Sequence, residues 1–292
     1  MNPLDAGGGS SLNWASSRRV LMNRPRAVEI TSAANSLVKV YRRALKDGAT
    51  REGWLAVEGP HLLEEALAAG SRGMVRGLLV TAEAASKQRG LLTRLPVETE
   101  LARVSPIIFA QIAQTEAPQG VAALVELPPP ALDSLLSSPD ALLLVAAGVQ
   151  DPGNLGTMLR SAFAFGATAL LTLRGTVSPF NPKAVRASAG AIFRLPVLTS
   201  LEAQVLLPRL REKGVRIVAA ERSSRAALHE IDLRGRIALL IGREGSGLDP
   251  ELLRQADAQV AVPIRPGSDS LNASVAAASF LYEAARQRGF KY

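Results

Sequence analysis

From residue 141 onward one pattern recurs: a short, uninterrupted apolar run, a Gly- or Pro-bearing turn, then a stretch with helical spacing. The apolar runs are 141–147, 168–173, 216–220, 237–241 and 259–263. Helical spacing occupies 154–165, 182–188, 201–213 and 250–255, and a long Ala-rich helix closes the chain over about 271–288. Strands without polar alternation must be covered on both faces, so the pattern predicts an α/β domain over 141–292 with a parallel sheet between helical layers. In such sheets ligands sit at the carboxyl ends of the strands, so the loops that follow the apolar runs are where chemistry belongs.

The chain is 292 residues long, enough for a second core. Upstream, residues 35–46 and 59–69 read as helices, and 53–58, 75–80 and 119–125 as strands. These define a smaller α/β domain over 28–127. The Pro-rich segment that follows, with Pro128, Pro129 and Pro130 ahead of Ser and Asp, predicts a semi-rigid linker over 128–140. Residues 1–27, with GGGSS, SSRR and NRPR, carry no periodicity and predict a disordered tail. Their Ser and Arg content with a single acid leaves an organellar transit peptide open.

Composition narrows the chemistry. The chain has no Cys, which removes disulfides, thiolate nucleophiles and Cys-ligated metals. Its two histidines, His61 and His229, stand far apart in no metal-ligand spacing, so no metal is expected. The longest apolar runs, such as 141–149, are too short to cross a bilayer, and no membrane role is expected. The net charge is +8 and the pI about 10.4. That balance favours an anionic partner through counterion release. The excess of Arg over Lys fits a GC-rich genome as well as it fits phosphate recognition.

Three loops at predicted carboxyl ends stand out. The first runs Gln150–Gly156 (QDPGNLG) into a helix that carries Arg160. The second is Ile241–Gly247 (IGREGSG), and the third is Val262–Asn272 (VPIRPGSDSLN), leading into the last helix. Each also has a plainer reading. Gly and Pro after a strand turn the chain, Asn154, Ser270 or Asn272 can cap a helix, Glu244 can be a solvated acid, and Arg160 an exposed cation. Neither a GxGxxG fingerprint nor the Lys and Ser/Thr of a P-loop is present.

Together, Asp151–Ala167 (DPGNLGTMLRSAFAFGA), Leu239–Leu248 (LLIGREGSGL) and Val262–Ala278 (VPIRPGSDSLNASVAAA) closely resemble the three motifs of the SpoU–TrmH family of RNA ribose methyltransferases. Ser188–Val197 (SAGAIFRLPV) is similar to the family's middle segment, and Val57–Leu67 (VEGPHLLEEAL) more loosely resembles the small RNA-binding domain that often precedes the catalytic one. The resemblance covers roughly residues 142–287. It implies a deep trefoil knot in the C-terminal domain, an L30e-like N-terminal substrate domain, and S-adenosylmethionine bound in a bent form. It also implies a cytoplasmic homodimer with its active site at the subunit interface. The small Ala273–Ala278 face suits close helix packing, as it would in any buried helix.

The same resemblance assigns residues. Gly242, Gly245, Val262, Ile264 and Leu271 are expected to line the cofactor site, with glycines letting backbone approach the adenine and apolar side chains enclosing it. Ile264 stands where the family often has Met, a mild exchange. Arg160 is expected to be catalytic, either as a base on the ribose hydroxyl or as a cation stabilising developing alkoxide. The second is easier for a group that stays protonated. Asn154 is expected to orient Arg160 or the nucleotide, Glu244 to hydrogen-bond within the knot or hold Asn154 and Arg160 in place, and Ser270 and Asn272 to fix the third loop and face the acceptor ribose. The implied substrate is RNA, most directly 23S ribosomal RNA, and residues 30–127 are expected to supply most of the selectivity. Alternatives are transfer RNA, a non-catalytic RNA-binding homologue, and a Ser hydrolase. The last is disfavoured because no GxSxG elbow occurs and neither histidine lies in a candidate loop.

Overall fold

The computed structural model describes residues 27–291. The expected tail therefore lies outside the described residues, apart from residue 27. The chain runs β1 (Val28–Ile30), α1 (Ser36–Asp47), β2 (Leu55–Glu58), α2 (Pro60–Ala68), β3 (Met74–Thr81), α3 (Ala82–Lys87), α4 (Arg89–Leu92), β4 (Glu100–Val104), α5 (Pro106–Ala110), β5 (Val121–Glu126) and α6 (Leu132–Leu136). It continues through β6 (Leu142–Ala146), α7 (Pro152–Ala164), β7 (Ala169–Leu173), α8 (Pro182–Ala187), β8 (Val197–Leu201), α9 (Ala203–Glu212), β9 (Arg216–Ala220), β10 (Ile237–Ile241), α10 (Pro250–Arg254), β11 (Ala258–Val260) and α11 (Ala273–Gln287).

Two sheets result. The first has five strands in the order β1-β4-β3-β5-β2, with β5 antiparallel to both neighbours. The second has six strands in the order β11-β9-β10-β6-β7-β8, and every pairing in it is parallel. The parallel sheet read from the apolar runs is thus present. Several elements were not anticipated. β8 is an edge strand whose Thr199 and Ser200 are exposed, so it lacks a buried strand's apolar run. In the first sheet β4 (ELARV) mixes charge with apolar residues, and α3 to α5 are too short to display a helical period. Within the Pro-rich segment, α6 forms directly after the prolines, and its Leu136 is fully buried.

Successive residues of the parallel strands point to opposite faces and build two cores. Leu143, Val145, Leu171 and Leu240 pack with Leu206, Leu207 and Leu210 of α9 and with Leu136. Leu142, Leu144, Leu170 and Leu239 pack on the other side with Leu155 and Leu159 of α7 and Phe280 and Leu281 of α11. That second core does not stop at the sheet. It continues through Ile192 and Phe193 to Leu62 and Leu63 of α2 and Leu55 and Val57 of β2. A half-buried ion pair, Arg194 to Glu65 at 2.8 Å, spans the same seam.

The helix that follows β6 starts where Pro152 occupies its first turn and the Asp151 carboxylate accepts the Asn154 amide. Its closest approach is to α8, at Gly156. A Cβ there would lie under 3.0 Å from the Ala184 carbonyl and 2.7 Å from Ala187 Cβ. Gly156→Ala is therefore expected to destabilise the fold by about 2 kcal/mol, the overpacking cost exceeding the roughly 1 kcal/mol gained in helix propensity. Thermal unfolding checks this, and an unchanged or raised Tm would contradict it.

Candidate functional site

At the carboxyl ends of β9, β10 and β11 lies a cleft of about 240 Å³. The loop after β10 forms one wall with Gly242, Gly245 and Gly247, and Val262, Ile264, Ser270 and Leu271 form the opposite one. Its floor is apolar, from Ala276 and Phe280 one helical turn apart on α11. All five residues expected from the sequence to hold a cofactor, Gly242, Gly245, Val262, Ile264 and Leu271, line this cleft together.

The glycine wall has a steric reason. A Cβ on Gly242 would run into the backbone of Gly247 and lie 2.5 Å from the Leu248 amide nitrogen. The Arg243 amide donates to the Gly247 carbonyl at 3.0 Å, closing the loop into a tight ring. Gly245 and Gly247 take positive φ of 81° and 69°, which side-chain-bearing residues resist. The cleft thus offers backbone amides and carbonyls beside apolar surface, the donor set that suits a neutral heteroaromatic base. Its volume lies just below the usual range of ligand pockets. These features fit S-adenosylmethionine.

Beside the cleft three of the expected residues meet in one hydrogen-bonded network. The Asn154 amide group donates to Glu244, and Asn272 Nδ2 donates to Asn154 Oδ1 at 3.1 Å. Asn272 Oδ1 also accepts from the Ser274 amide at 2.9 Å and the Ser274 hydroxyl at 2.7 Å. Asn272 is thus both the N-cap of α11 and a partner of Asn154, so its plain reading and its functional reading coexist. For Asn154 the capping role falls to Asp151 instead. Lys183 of α8 pairs with the other oxygen of Asp151 at 2.7 Å. That hydrogen bond, ahead of the one from the Asn154 amide, holds the Asp151 carboxyl below the usual carboxylate range. The pair is consequently intact at neutral pH and is lost only as the pH falls through the lowered value.

Two expected residues stand apart. Ser270 lines the cleft but is exposed and makes no side-chain hydrogen bond among the described residues. Arg160 lies two turns along α7 from the network, exposed, outside the cleft lining and without an ion pair among the described residues. The expected holding of Arg160 by Asn154 or Glu244 is not present within the single chain. Sequence reasoning also passed over a fourth loop, after β9. Glu221 and Arg222 line the cleft, and Arg222 donates to the Asp269 carbonyl, tying that loop to the third one. Its sequence, ERSSR, contains neither Gly nor Pro, but its place after an apolar run was a usable signal.

Fold and cleft together define a class: an α/β protein that receives its ligand where three adjoining parallel strands end. Residues 141–282 match the SpoU rRNA Methylase family, and residues 35–123 match the MRM3-like substrate binding domain. The 23S rRNA (guanosine(2553)-2'-O)-methyltransferase RlmP of Bacillus subtilis is 35% identical over 87% of this chain and 98% of its own length. Among solved structures, the AdoMet-bound rRNA methyltransferase from Sinorhizobium meliloti superposes with a TM-score of 0.77 at 27% identity, over 89% of this chain and 98% of its own. The SpoU methyltransferase AviRb from Streptomyces viridochromogenes, in complex with AdoMet, gives 0.77 at 29%, over 88% and 100%. The chain belongs to the SpoU family of RNA ribose methyltransferases. It is an S-adenosylmethionine-dependent RNA 2′-O-methyltransferase.

Proposed function

We propose that this protein methylates a ribose 2′-hydroxyl of 23S ribosomal RNA, with S-adenosylmethionine in the cleft between the loops after β10 and β11. The observation that carries the reading is the junction of an apolar, backbone-lined cleft with the Glu244–Asn154–Asn272 network at its edge. S-adenosylmethionine supplies an electrophilic methyl group. The chain's own residues hold the reactants in line and manage the hydroxyl proton. Gly242, Gly245, Val262, Ile264 and Leu271 enclose the cofactor, Asn154, Glu244 and Asn272 set the floor on which the ribose rests, and Ser270 faces it from the third loop.

Three finer features belong to this reading. The first is a trefoil knot. It is supported by the path of residues 261–272, which leave edge strand β11 and return to the middle of the sheet, where α11 packs on α7 and β10. The second is a homodimer. Arg160 is exposed and carries no ion pair among the described residues, and Phe163, Val275 and Tyr282 leave apolar surface on the same two helices, α7 and α11. A second copy covering that surface brings its own Arg160 toward the site. The third is a cytoplasmic location, where ribosomal RNA is made and assembled. Among the described residues no helix is long and apolar enough to cross a membrane.

The test is transfer of labelled methyl from S-adenosylmethionine to total ribosomal RNA from a strain lacking the protein. The modified ribose is mapped by its resistance to alkaline cleavage. Label at one ribose of 23S RNA is the expected result. Label on transfer RNA alone would move the substrate, and cofactor binding without label on any RNA would leave an RNA-binding homologue.

A further inference from the structure

The first helix packs its apolar face into a third core, with Ala56, Leu79, Phe109 and Leu124, and carries a charged face that this core does not use. In α1, Val38, Tyr41, Ala44 and Leu45 are buried, and Lys39, Arg42, Arg43 and Lys46 are exposed. At 100° per residue these four cations fall within an arc of about 100° on the outer face. The acid on the helix, Asp47, pairs with Arg43 at 3.3 Å, both side chains half or more exposed, a contact of little strength in water.

The position of this face matters as much as its charge. Just past the helix, Gly48 presses on the segment before α8. A Cβ there would lie under 3.0 Å from the Phe180 carbonyl, and only a glycine with φ 96° fits. Asn181 then caps α8 by accepting the Lys183 amide at 2.9 Å, and the Lys183 ammonium reaches Asp151 at the start of α7. Arg186, one turn further along α8, is exposed beside Leu45 and Glu58. A continuous chain of contacts therefore leads from α1 across α8 to Asp151, three residues from Asn154 in the network.

We infer that the outer face of α1, continued by Arg186 and Lys183 on α8, is the track on which the RNA backbone is held as a ribose enters the site. The inference rests on the functional reading above and gives its substrate a surface. Lys39, Arg42, Arg43 and Lys46 meet phosphates as point charges and forks, and Arg43 exchanges Asp47 for phosphate. Such contacts fix register rather than sequence. They also let the methyl-transfer step proceed unchanged once RNA is bound.

The experiment uses the full chain with Lys39→Gln, Arg43→Gln and Lys46→Gln combined. A control carries Arg209→Gln, Arg211→Gln and Lys213→Gln on and after α9. RNA affinity is measured for both across a salt series on a 23S RNA fragment, beside KM, kcat and S-adenosylmethionine affinity. For the α1 variant the slope of log affinity against log salt is expected to fall by about two, and KM for RNA to rise roughly ten- to fiftyfold. Its kcat and cofactor affinity should stay at wild-type values, and the control should move the slope by less than half as much. An unchanged slope in the α1 variant, or an equal loss in the control, would overturn the track. The functional reading fails separately, if wild-type protein transfers no methyl to any RNA. The slope comparison still decides the track in that event, because it needs binding alone.

Discussion

Replacing Arg160 by Ala is expected to lower kcat for RNA methylation by roughly a hundredfold or more, with S-adenosylmethionine affinity within about twofold of wild type. The side chain is exposed, carries no ion pair among the described residues and lies outside the cleft. Its truncation therefore removes no packing and leaves no buried partner unsatisfied. What it removes is a cation available to a reacting ribose. A guanidinium offers hydrogen-bond donors and no acceptor, so it stabilises the developing alkoxide more readily than it accepts a proton. The effect should appear in kcat more than in KM, because charge develops on the oxygen only in the transition state. Single-turnover methyl transfer with cofactor affinity measured in parallel checks this. Turnover that survives the substitution would remove Arg160 from the chemistry.

Gly242→Ala is expected to abolish cofactor binding, with at least a hundredfold loss of affinity for S-adenosylmethionine. The added Cβ meets Gly247 and the Leu248 amide, all backbone, so no flexible side chain can move aside. Relief requires the ring closed by the Arg243–Gly247 hydrogen bonds to open, and that ring is one wall of the cleft. The fold should survive, because the loop lies at the mouth of the sheet and contributes little to either core. Calorimetric titration against the substituted protein, with a melting curve to confirm folding, decides the matter. Cofactor binding at wild-type affinity would mean that the wall is not part of the binding site.

The two predictions draw on different kinds of legibility. Strand-loop-helix alternation placed the loops that hold Gly242 and lead to Arg160 at the carboxyl ends of a parallel sheet, and the resemblance to the SpoU–TrmH motifs singled out the two residues. The sequence could not say that Gly242 is needed against Gly247, five residues on, since that clash exists only once the loop closes. The separation of Arg160 from Asn154 was legible by contrast, because six residues along one helix set two side chains about 120° apart. Lys183 shows the limit most plainly. Nothing in its surroundings, Asn-Pro-Lys-Ala, marks it, yet it fixes the carboxylate that caps the helix carrying both Asn154 and Arg160.

By itself the sequence determined the parallel strands other than β8 and the three glycine- and proline-rich loops, while Glu221 and Arg222 of the cleft escaped it. Uninterrupted apolar runs are buried on both faces wherever they lie, and special backbone positions demand special residues, so both signals are local. Only the tertiary structure decided which side chains join. It also decided that one core runs through both sheets by way of Phe193, and that the cationic helix α1 abuts the path to the site. Those are contacts between segments tens to more than a hundred residues apart. They are selected by shape and burial across the whole chain, and no single stretch of sequence carries them.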